Sequence, residues 1–186
     1  MSQSAKRLLL VFFLIATVLV IDQTSKQYVV DNIAYADSVE PIPALADVFQ
    51  LTHSHNTGAA FGIFENAGDF FLVLSIVVVI GMLFYYPRIP ANAPITRLAI
   101  GLVCGGALGN AADRIFRDHV IDFIHYQIPG VISNVSNLAD HAIVFGVLLM
   151  LVDSWRLELA EKRAQEAEST EPPTSAPDAA EDLSPE

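Results

Sequence analysis

Four long runs of apolar residues, separated by polar stretches, dominate the chain. They cover residues 8–21, 70–86, 95–112 and 138–155. A helix of about 20 apolar residues crosses the roughly 30 Å hydrocarbon core of a bilayer. The pattern therefore predicts a mainly α, polytopic membrane protein with four transmembrane helices.

The first apolar run is short for a membrane span. Its 14 residues rise only about 21 Å as a helix. We therefore expect the helix to continue through Asp22 and Lys26 towards Tyr28. A basic start at Lys6 and Arg7 before a short apolar core also fits a cleaved signal peptide. No small-residue cleavage site follows closely, which favours a retained helix.

Basic residues are divided unequally between the two sides of a four-span model. One side carries Lys6, Arg7, Arg88, Arg97, Arg156, Lys162 and Arg163, and the other carries Lys26, Arg114 and Arg117. Because basic residues favour the cytoplasmic side, both termini are expected in the cytoplasm. Residues 27–69 and 113–137 are then external. Within them, residues 48–52 and 120–124 have the composition of strands, which predicts a small extracytoplasmic β element.

A glycine repeat in the third span predicts close helix packing. Gly101, Gly105 and Gly109 follow one another at a spacing of four residues and share one helix face. Small residues on one face allow another helix to approach closely in a membrane.

The charge of the chain is concentrated at its end. The formal net charge is −11, and residues 158–186 contain nine acidic and two basic side chains. This composition is typical of a disordered segment. The chain therefore divides into a transmembrane domain over residues 1–157 and an acidic, disordered cytoplasmic tail over residues 158–186. Because no basic stripe exists, we expect no nucleic-acid partner.

Three carboxylates near the external boundary are the candidates for chemistry. The pairs Asn110/Asp113 and Asn137/Asp140 each share a helix face, and Asp122 lies between them in an apolar segment that favours its protonated form. Carboxylates within membrane proteins are costly and usually functional. Two that meet can share a proton, so that one acts as an acid and the other as a base. This pattern predicts a membrane-embedded aspartyl peptidase. If Asp122 approaches Asp140, one of the two carboxyls would hold the proton while the other stays ionised.

Several of these residues also have a structural interpretation. Asn137 can cap the fourth helix, with Asp140 in its first turn. Asp22 and Lys26 are four residues apart and can form an ion pair. Arg114 can anchor the third helix or hold a substrate carbonyl. The alternative function is a small proton-coupled transporter, although the polar residues gather at one face and not along a path across the bilayer.

Five histidines raise the question of a metal site. They are His53, His55, His119, His125 and His141. Their spacings match no compact zinc pattern, so we expect no metal and no cofactor.

Five short motifs together resemble those of lipoprotein signal peptidase (signal peptidase II), a family of bacterial aspartyl peptidases. The motifs, in chain order, are residues 22–26 (DQTSK), 56–62 (NTGAAFG), 105–114 (GGALGNAADR), 120–124 (VIDFI) and 137–140 (NLAD). Each motif alone is moderately specific, but five in order within a four-span chain are very specific. The resemblance covers roughly residues 7–155. One departure is His141, where the family usually has a small hydroxyl residue.

The resemblance implies a catalytic dyad of Asp122 and Asp140. The supporting or substrate-contacting residues would be Asn56, Gly58, Asn110, Asp113, Arg114, Asn137, Asp22 and Lys26. Asp113 would then have a structural role, which local reasoning does not decide.

The resemblance also implies the substrate and the compartment. The family removes the signal peptide of prolipoproteins on the amino side of a cysteine that carries a diacylglyceryl group. We accordingly expect an endopeptidase of the bacterial cytoplasmic (inner) membrane, working beside membrane lipid as a monomer with its active site at the extracytoplasmic face.

Overall fold

The computed structural model describes residues 1–58, 67–90, 92–128 and 130–170, so residues 59–62 of the second motif lie outside the described residues. The elements in chain order are α1 (Gln3–Asn32), β1 (Ser38–Val39), β2 (Phe49–Asn56), α2 (Gly68–Tyr85), α3 (Pro94–Arg117), β3 (Val120–Ile128), β4 (Ile132–Ser136) and α4 (Leu138–Thr170). The chain separates into two compact units, Met1–Asp153 and Ser154–Glu186. The first unit contains the whole sheet and all the candidate site residues.

Three helices of the described chain are long and apolar enough to cross a membrane: α1, α2 with the turn that follows it, and α3. As expected, α1 continues through Asp22 and Lys26 to its end at Asn32. α4 is less apolar, and its apolar stretch lies between His141 and Asp153. The prediction of a mainly α, polytopic membrane protein with a small β element is confirmed.

The glycine repeat of α3 forms its contact with α1. A Cβ atom at Gly105 would lie 2.6 Å from Cβ of Val18, and one at Gly109 would lie 2.5 Å from Oδ2 of Asp22. Gly101 faces α1 in the same way, at Leu14. Any side chain on this face would push α1 away, and a side chain at position 109 would displace the Asp22 carboxylate. The predicted role of the repeat in close packing is confirmed.

Two other glycines bring α4 against a neighbouring face of α3. Gly106 faces the backbone of Ala139, and a Cβ atom at Gly146 would lie 2.8 Å from the carbonyl oxygen of Ala99. α3 is therefore the central helix of this unit, and most of its apolar window is buried.

The four strands form one antiparallel sheet in the order β1-β2-β3-β4. β2 and β3 pair through Ser54 and Asp122 after a register shift that begins at Leu51, and β3 pairs with β4 through Ile124 and Ser136. The strands predicted at residues 48–52 and 120–124 are present and longer than expected. Because β3 begins shortly after α3 ends, the sheet is joined directly to the end of the central helix.

Two helices extend beyond their predicted ends. α3 continues to Arg117, so Asp113 and Arg114 lie within its last turns. α4 continues to Thr170, so residues 158–170 are helical where a disordered tail was predicted. Glu, Ala, Lys and Arg are strong helix formers, and Glu158 pairs with Lys162 one turn later at 2.7 Å. Acidic composition alone therefore underestimated helix propensity. Residues 171–186 lie outside the described residues.

Candidate active site

Asp122 is held in a fixed orientation by two amide side chains. It is the third residue of β3 and is 3% exposed. Its Oδ2 accepts a hydrogen bond from Asn56 Nδ2 at 2.8 Å, and its Oδ1 accepts one from Asn137 Nδ2 at 2.6 Å. Asn56 ends the neighbouring strand β2, and Asn137 immediately precedes α4. The sheet and the start of α4 thus position this carboxyl together.

Asp140 lies in the first turn of α4. Its backbone N–H donates to Oδ1 of Asn137 at 2.9 Å, which is the predicted N-cap. Its Oδ1 accepts a hydrogen bond from Asn110 Nδ2 on α3 at 2.7 Å. Asn137 therefore joins the two carboxylates: its amide nitrogen binds the Asp122 side chain, and its oxygen binds the Asp140 backbone.

The two carboxylates line one cavity of about 190 Å³. The other residues of its wall are Asn56, Gly58, Phe71, Ser75, Asn110, Arg114, Val120 and Ile143. These side chains come from β2 and its following turn, α2, α3, β3 and α4. The structure therefore brings together six of the residues singled out in the sequence, which are Asp122, Asp140, Asn56, Gly58, Asn110 and Arg114.

Asp22, Lys26 and Asp113 form a separate, fully buried ion cluster beside the cavity. The Lys26 ammonium lies 2.8 Å from a carboxylate oxygen of each aspartate. Asp22 also accepts the backbone N–H of Ala139 on α4 at 2.9 Å, and Asp113 accepts the backbone N–H of Ile121 on β3 at 3.2 Å. One buried lysine thus ties α1 to α3, while its two aspartates reach α4 and the sheet. The predicted pair of Asp22 and Lys26 is present as part of this larger cluster.

Asn110 connects the ion cluster to Asp140. Lys26 Nζ donates to Oδ1 of Asn110 at 2.9 Å. An ammonium group can only donate hydrogen bonds. The amide oxygen of Asn110 must therefore face Lys26, and its NH₂ group is directed to Asp140. Through this orientation Lys26 acts on the cavity without lining it.

Arg114 closes another side of the cavity. Its guanidinium donates to the carbonyl oxygen of Gly58 at 2.9 Å, and the backbone N–H of Gly58 donates to Oδ1 of Asn56 at 2.9 Å. Arg114 is thereby linked through the backbone at Gly58 to an amide that holds Asp122. Among the described residues, Nε of Arg114 is buried without a hydrogen-bond partner.

The sequence matches a known family over most of its length. The family model described as Signal peptidase (SPase) II matches residues 14–156. The chain belongs to the signal peptidase II family. A lipoprotein signal peptidase of Anoxybacillus flavithermus is 38% identical over 154 residues, which cover 83% of this chain and 90% of that protein.

Two solved structures of bacterial membrane enzymes, both obtained by the in meso method, have a similar fold. One, at 2.3 Å resolution, has a TM-score of 0.67 and 26% identity, and the match covers 89% of this chain and 93% of the other. The second, at 1.9 Å resolution, has a TM-score of 0.65 and 30% identity, and the match covers 76% of this chain and 90% of the other.

Membership of the signal peptidase II family defines the class of enzyme. The chain is a multi-pass membrane peptidase of the aspartic class, from a family of bacterial hydrolases. The alternative interpretation as a proton-coupled transporter is set aside by this membership.

In this signal peptidase the environment of Asp122 favours its protonated form. Burial raises the pKa of Asp122 to about 7, and the negative charge of Asp140 acts in the same direction. The hydrogen bonds from Asn56 and Asn137 oppose this rise, because they stabilise the ionised form. The sequence predicted this direction from the apolar neighbours of Asp122 alone.

Three of the five histidines have their rings in contact, His53 and His55 on β2 and His119 just before β3. The ring centroids of His53 and His55 are 5.2 Å apart, and those of His55 and His119 are 3.7 Å apart. Burial and the neighbouring rings lower the pKa of His55. Among the described residues, no group of three or more potential ligand side chains has the arrangement of a metal site.

Two residues that contact the ion cluster were missed in the sequence. Gln23 donates to Oδ1 of Asp113 at 3.1 Å, and Arg117 pairs with the same carboxylate and donates to Gln23 at 3.2 Å. Gln23 belongs to the first motif, but nothing in the sequence indicated that it contacts Asp113. Arg117 lies one helical turn after Asp113, a signal that became visible only once α3 was known to extend so far.

Proposed function

We propose that the chain removes the signal peptide of prolipoproteins with Asp122 and Asp140 as its catalytic dyad. The observation that carries this proposal is that two carboxyls from different elements line one cavity, and each is held by amide donors of its own. Asp113 has a structural role in this proposal, since its carboxylate is occupied by Lys26, Arg117 and Gln23.

The two carboxyls manage the protons of an attacking water. In the active state the pair holds one proton. The raised pKa of Asp122 supports assigning that proton to Asp122. Asp140 then accepts a proton from water as the water oxygen bonds to the scissile carbonyl carbon, while Asp122 donates its proton to the carbonyl oxygen.

Collapse of the resulting gem-diol completes hydrolysis. Asp140 passes its proton to the leaving nitrogen as the carbon–nitrogen bond breaks, and Asp122 recovers a proton from a diol hydroxyl. The dyad returns to its starting state. Water is the nucleophile and two carboxyls carry all the protons, so these steps need no cofactor.

The position of the cavity fits a substrate anchored in the bilayer. Phe71 and Ser75 on α2 and Ile143 on α4 form part of its wall, so a lipid-modified cysteine can enter between helices while its diacylglyceryl group stays in the membrane. Arg114 also lines this cavity, where its guanidinium can meet a substrate carbonyl. Cleavage falls on the amino side of the modified cysteine.

The distribution of basic residues supports a definite orientation. Lys6, Arg7, Arg88 and Arg97 lie at the helix ends remote from the dyad. Because basic residues favour the cytoplasmic side, we assign both termini to the cytoplasm and the dyad to the extracytoplasmic face of the bacterial inner membrane. The enzyme acts there as a monomer, with membrane lipid around it.

A comparison of lipidated and unlipidated precursors tests this function. Purified enzyme is incubated with a diacylglyceryl-modified prolipoprotein and, in parallel, with the same precursor lacking the lipid, and product masses are measured. We expect one cut in the modified precursor, immediately before the modified cysteine, and no product from the unmodified one. Equal cleavage of both, or a cut elsewhere, would contradict the proposed specificity.

The dyad predicts a loss of activity on the alkaline side of neutrality. As the pH rises through about 7, Asp122 loses its proton and the pair can no longer donate to the carbonyl oxygen. Measurement of kcat/KM against pH on the lipidated precursor should show this fall, and a profile that is flat on both sides of pH 7 would contradict it.

The same ionisation affects the free energy of unfolding. The folded-state pKa lies above the value of about 4 for an unfolded chain, so the folded state binds the extra proton. Stability should therefore decline as the pH rises between these two values. The Asp122→Asn variant should lack this part of the pH dependence.

A further inference from the structure

Two histidine rings lie on the face of β2 and β3 that is turned away from the active-site cavity. Asn56 and Val120 pair at the ends of these strands, and both line the cavity together with Asp122. Successive side chains of a strand point to opposite faces of the sheet. His55, which precedes Asn56, is therefore on the other face, and its ring meets that of His119 there.

Four side chains form a contact that we call the histidine cluster: Tyr35, His53, His55 and His119. The closest rings are those of His55 and His119, with 3.7 Å between their centroids, and the ring of Tyr35 lies 4.3 Å from that of His55. His53 is buried, and its Nδ1 donates to the carbonyl oxygen of Ile33 at 2.8 Å. Because Ile33 caps α1, the cluster joins the end of that helix to β2 and to the turn before β3.

The contact between His55 and His119 lies where the pairing of β2 with β3 ends. The last described pair of this ladder is Asn56 with Val120. Across the same end, Asn56 Nδ2 donates to Oδ2 of Asp122 at 2.8 Å. The ends of an element open more easily than its middle. Separation of the two rings would therefore move Asn56 away from the carboxyl that it holds.

We propose that His55 and His119 are positioning residues for Asp122, and that protonation of both rings abolishes this role. Neutral imidazole rings can stack, whereas two positively charged rings in contact repel each other. This repulsion would separate the ends of β2 and β3, so that Asn56 would release Asp122. The effect on cleavage rests on the catalytic role proposed for Asp122, whereas the effect on unfolding does not.

The surroundings of His55 favour its neutral form. Burial lowers the pKa of His55, and the neighbouring His119 and His53 act in the same direction. The other titratable side chain against this ring, within the described part of the chain, is Tyr35. No carboxylate stabilises a charge on His55 among these neighbours, so a proton there is disfavoured.

The surroundings of His119 contain charges of both signs. Burial is the largest effect and lowers the pKa of His119. The carboxylates of Asp113 and Asp118 oppose this, as does a hydrogen bond to the backbone of Arg117. The positive charge of Arg117 reinforces it. The net direction is downwards, so both rings of the pair are neutral at pH values above about 6.5.

Thermal unfolding of the full chain in detergent, measured between about pH 7.5 and pH 5, tests the contact without reference to catalysis. The folded-state pKa values of His55 and His119 lie below the value of about 6.5 for an unfolded chain. The unfolded state therefore binds more protons, and stability is lost as the pH falls below that value. Asp122 acts in the opposite direction but is present in every variant. The midpoint should fall by about 2 to 4 °C more in the wild type than in His55→Phe or His119→Phe, because phenylalanine keeps the ring but cannot be protonated.

The matched control is His125→Phe. His125 lies farther along β3, where its ring bonds to Thr52 and Ser133 outside the histidine cluster. The same substitution removes a titratable ring there, but the acid-side fall should stay as large as in the wild type. An equal fall in the wild type and the cluster variants, or an equal reduction of the fall by His125→Phe, would overturn the proposal. If one cluster variant does not fold, the other decides the matter.

The pH profile of kcat/KM on the lipidated precursor tests the positioning role. The wild type should lose activity below about pH 6.5, and at about pH 5.5 His55→Phe and His119→Phe should retain about three- to tenfold more of their neutral-pH activity. His55→Ala, which removes the ring, should lower kcat/KM about fivefold at neutral pH, and His55→Phe should restore it. An unchanged acid side of the profile in both phenylalanine variants would overturn the positioning role. Failure of the dyad would appear instead as full activity in Asp122→Asn, so the two failures are distinguishable.

Discussion

Replacement of either Asp122 or Asp140 by asparagine is expected to lower cleavage of a lipidated precursor by about 10²- to 10⁴-fold. Asparagine has nearly the same shape but can neither accept the proton of the attacking water nor donate one to the carbonyl oxygen. Removal of either partner therefore removes the shared proton on which the mechanism depends. The measurement is kcat/KM for each purified variant.

The control for this prediction is Asp31→Asn. Asp31 is an exposed carboxylate on α1 whose described contact is with Gln27, so the same chemical change there should leave activity intact. The double variant of Asp122 and Asp140 should be no less active than either single variant, because the two residues act as one unit. Thermal unfolding verifies that each variant folds. Full activity in a folded single variant would refute the dyad.

Replacement of Lys26 by methionine is expected to lower the free energy of unfolding by about 3 to 5 kcal/mol. Lys26 is fully buried between Asp22 and Asp113, and its removal leaves Asp22 without a counter-ion and Asp113 with Arg117 alone. Methionine keeps the length of the aliphatic chain, so the loss reports mainly on charge. The free energy of unfolding is measured in detergent, with heat or denaturant used to unfold the protein.

Lys162→Met is the matched control for the buried lysine. Its ion pair with Glu158 has a similar length, 2.7 Å, but both side chains are more than half exposed. Such a pair contributes only about 0.3 to 0.5 kcal/mol. In addition, Asp22→Asn should recover part of the stability that Lys26→Met removes, since it eliminates the carboxylate that has lost its counter-ion. Equal, small losses in both lysine variants would contradict a stabilising role for the cluster.

The membrane architecture could be predicted from the sequence because its physical requirements are local. A span needs a continuous apolar run, and the runs at residues 70–86 and 95–112 correspond closely to α2 and α3. Likewise, the strand at residues 120–124 was visible from its β-branched and aromatic composition. The helical part of the tail was missed, because disorder was inferred from charge while the same residues have high helix propensity.

The roles of the carboxylates could be predicted only in part. The pairs Asn110/Asp113 and Asn137/Asp140 look alike in sequence, since both place an amide three residues before an acid. In the fold, Asp113 is enclosed by Lys26 and Arg117, whereas Asp140 lines a cavity. Local spacing contains no information about the partners that other elements provide.

The apolar runs, the glycine repeat and the positions of the acids were sufficient to predict the long apolar helices, the face along which α1 and α3 meet, and the carboxylates at one end of the bundle. Contacts between elements distant in the chain were needed to establish three further points: which acids share a cavity, how Lys26 orients the amide of Asn110, and why the pKa of Asp122 is raised. The reason is physical. Apolar runs and residue spacing act over one or two helical turns, whereas desolvation and hydrogen-bond partnership depend on groups that are distant in the chain and adjacent in space.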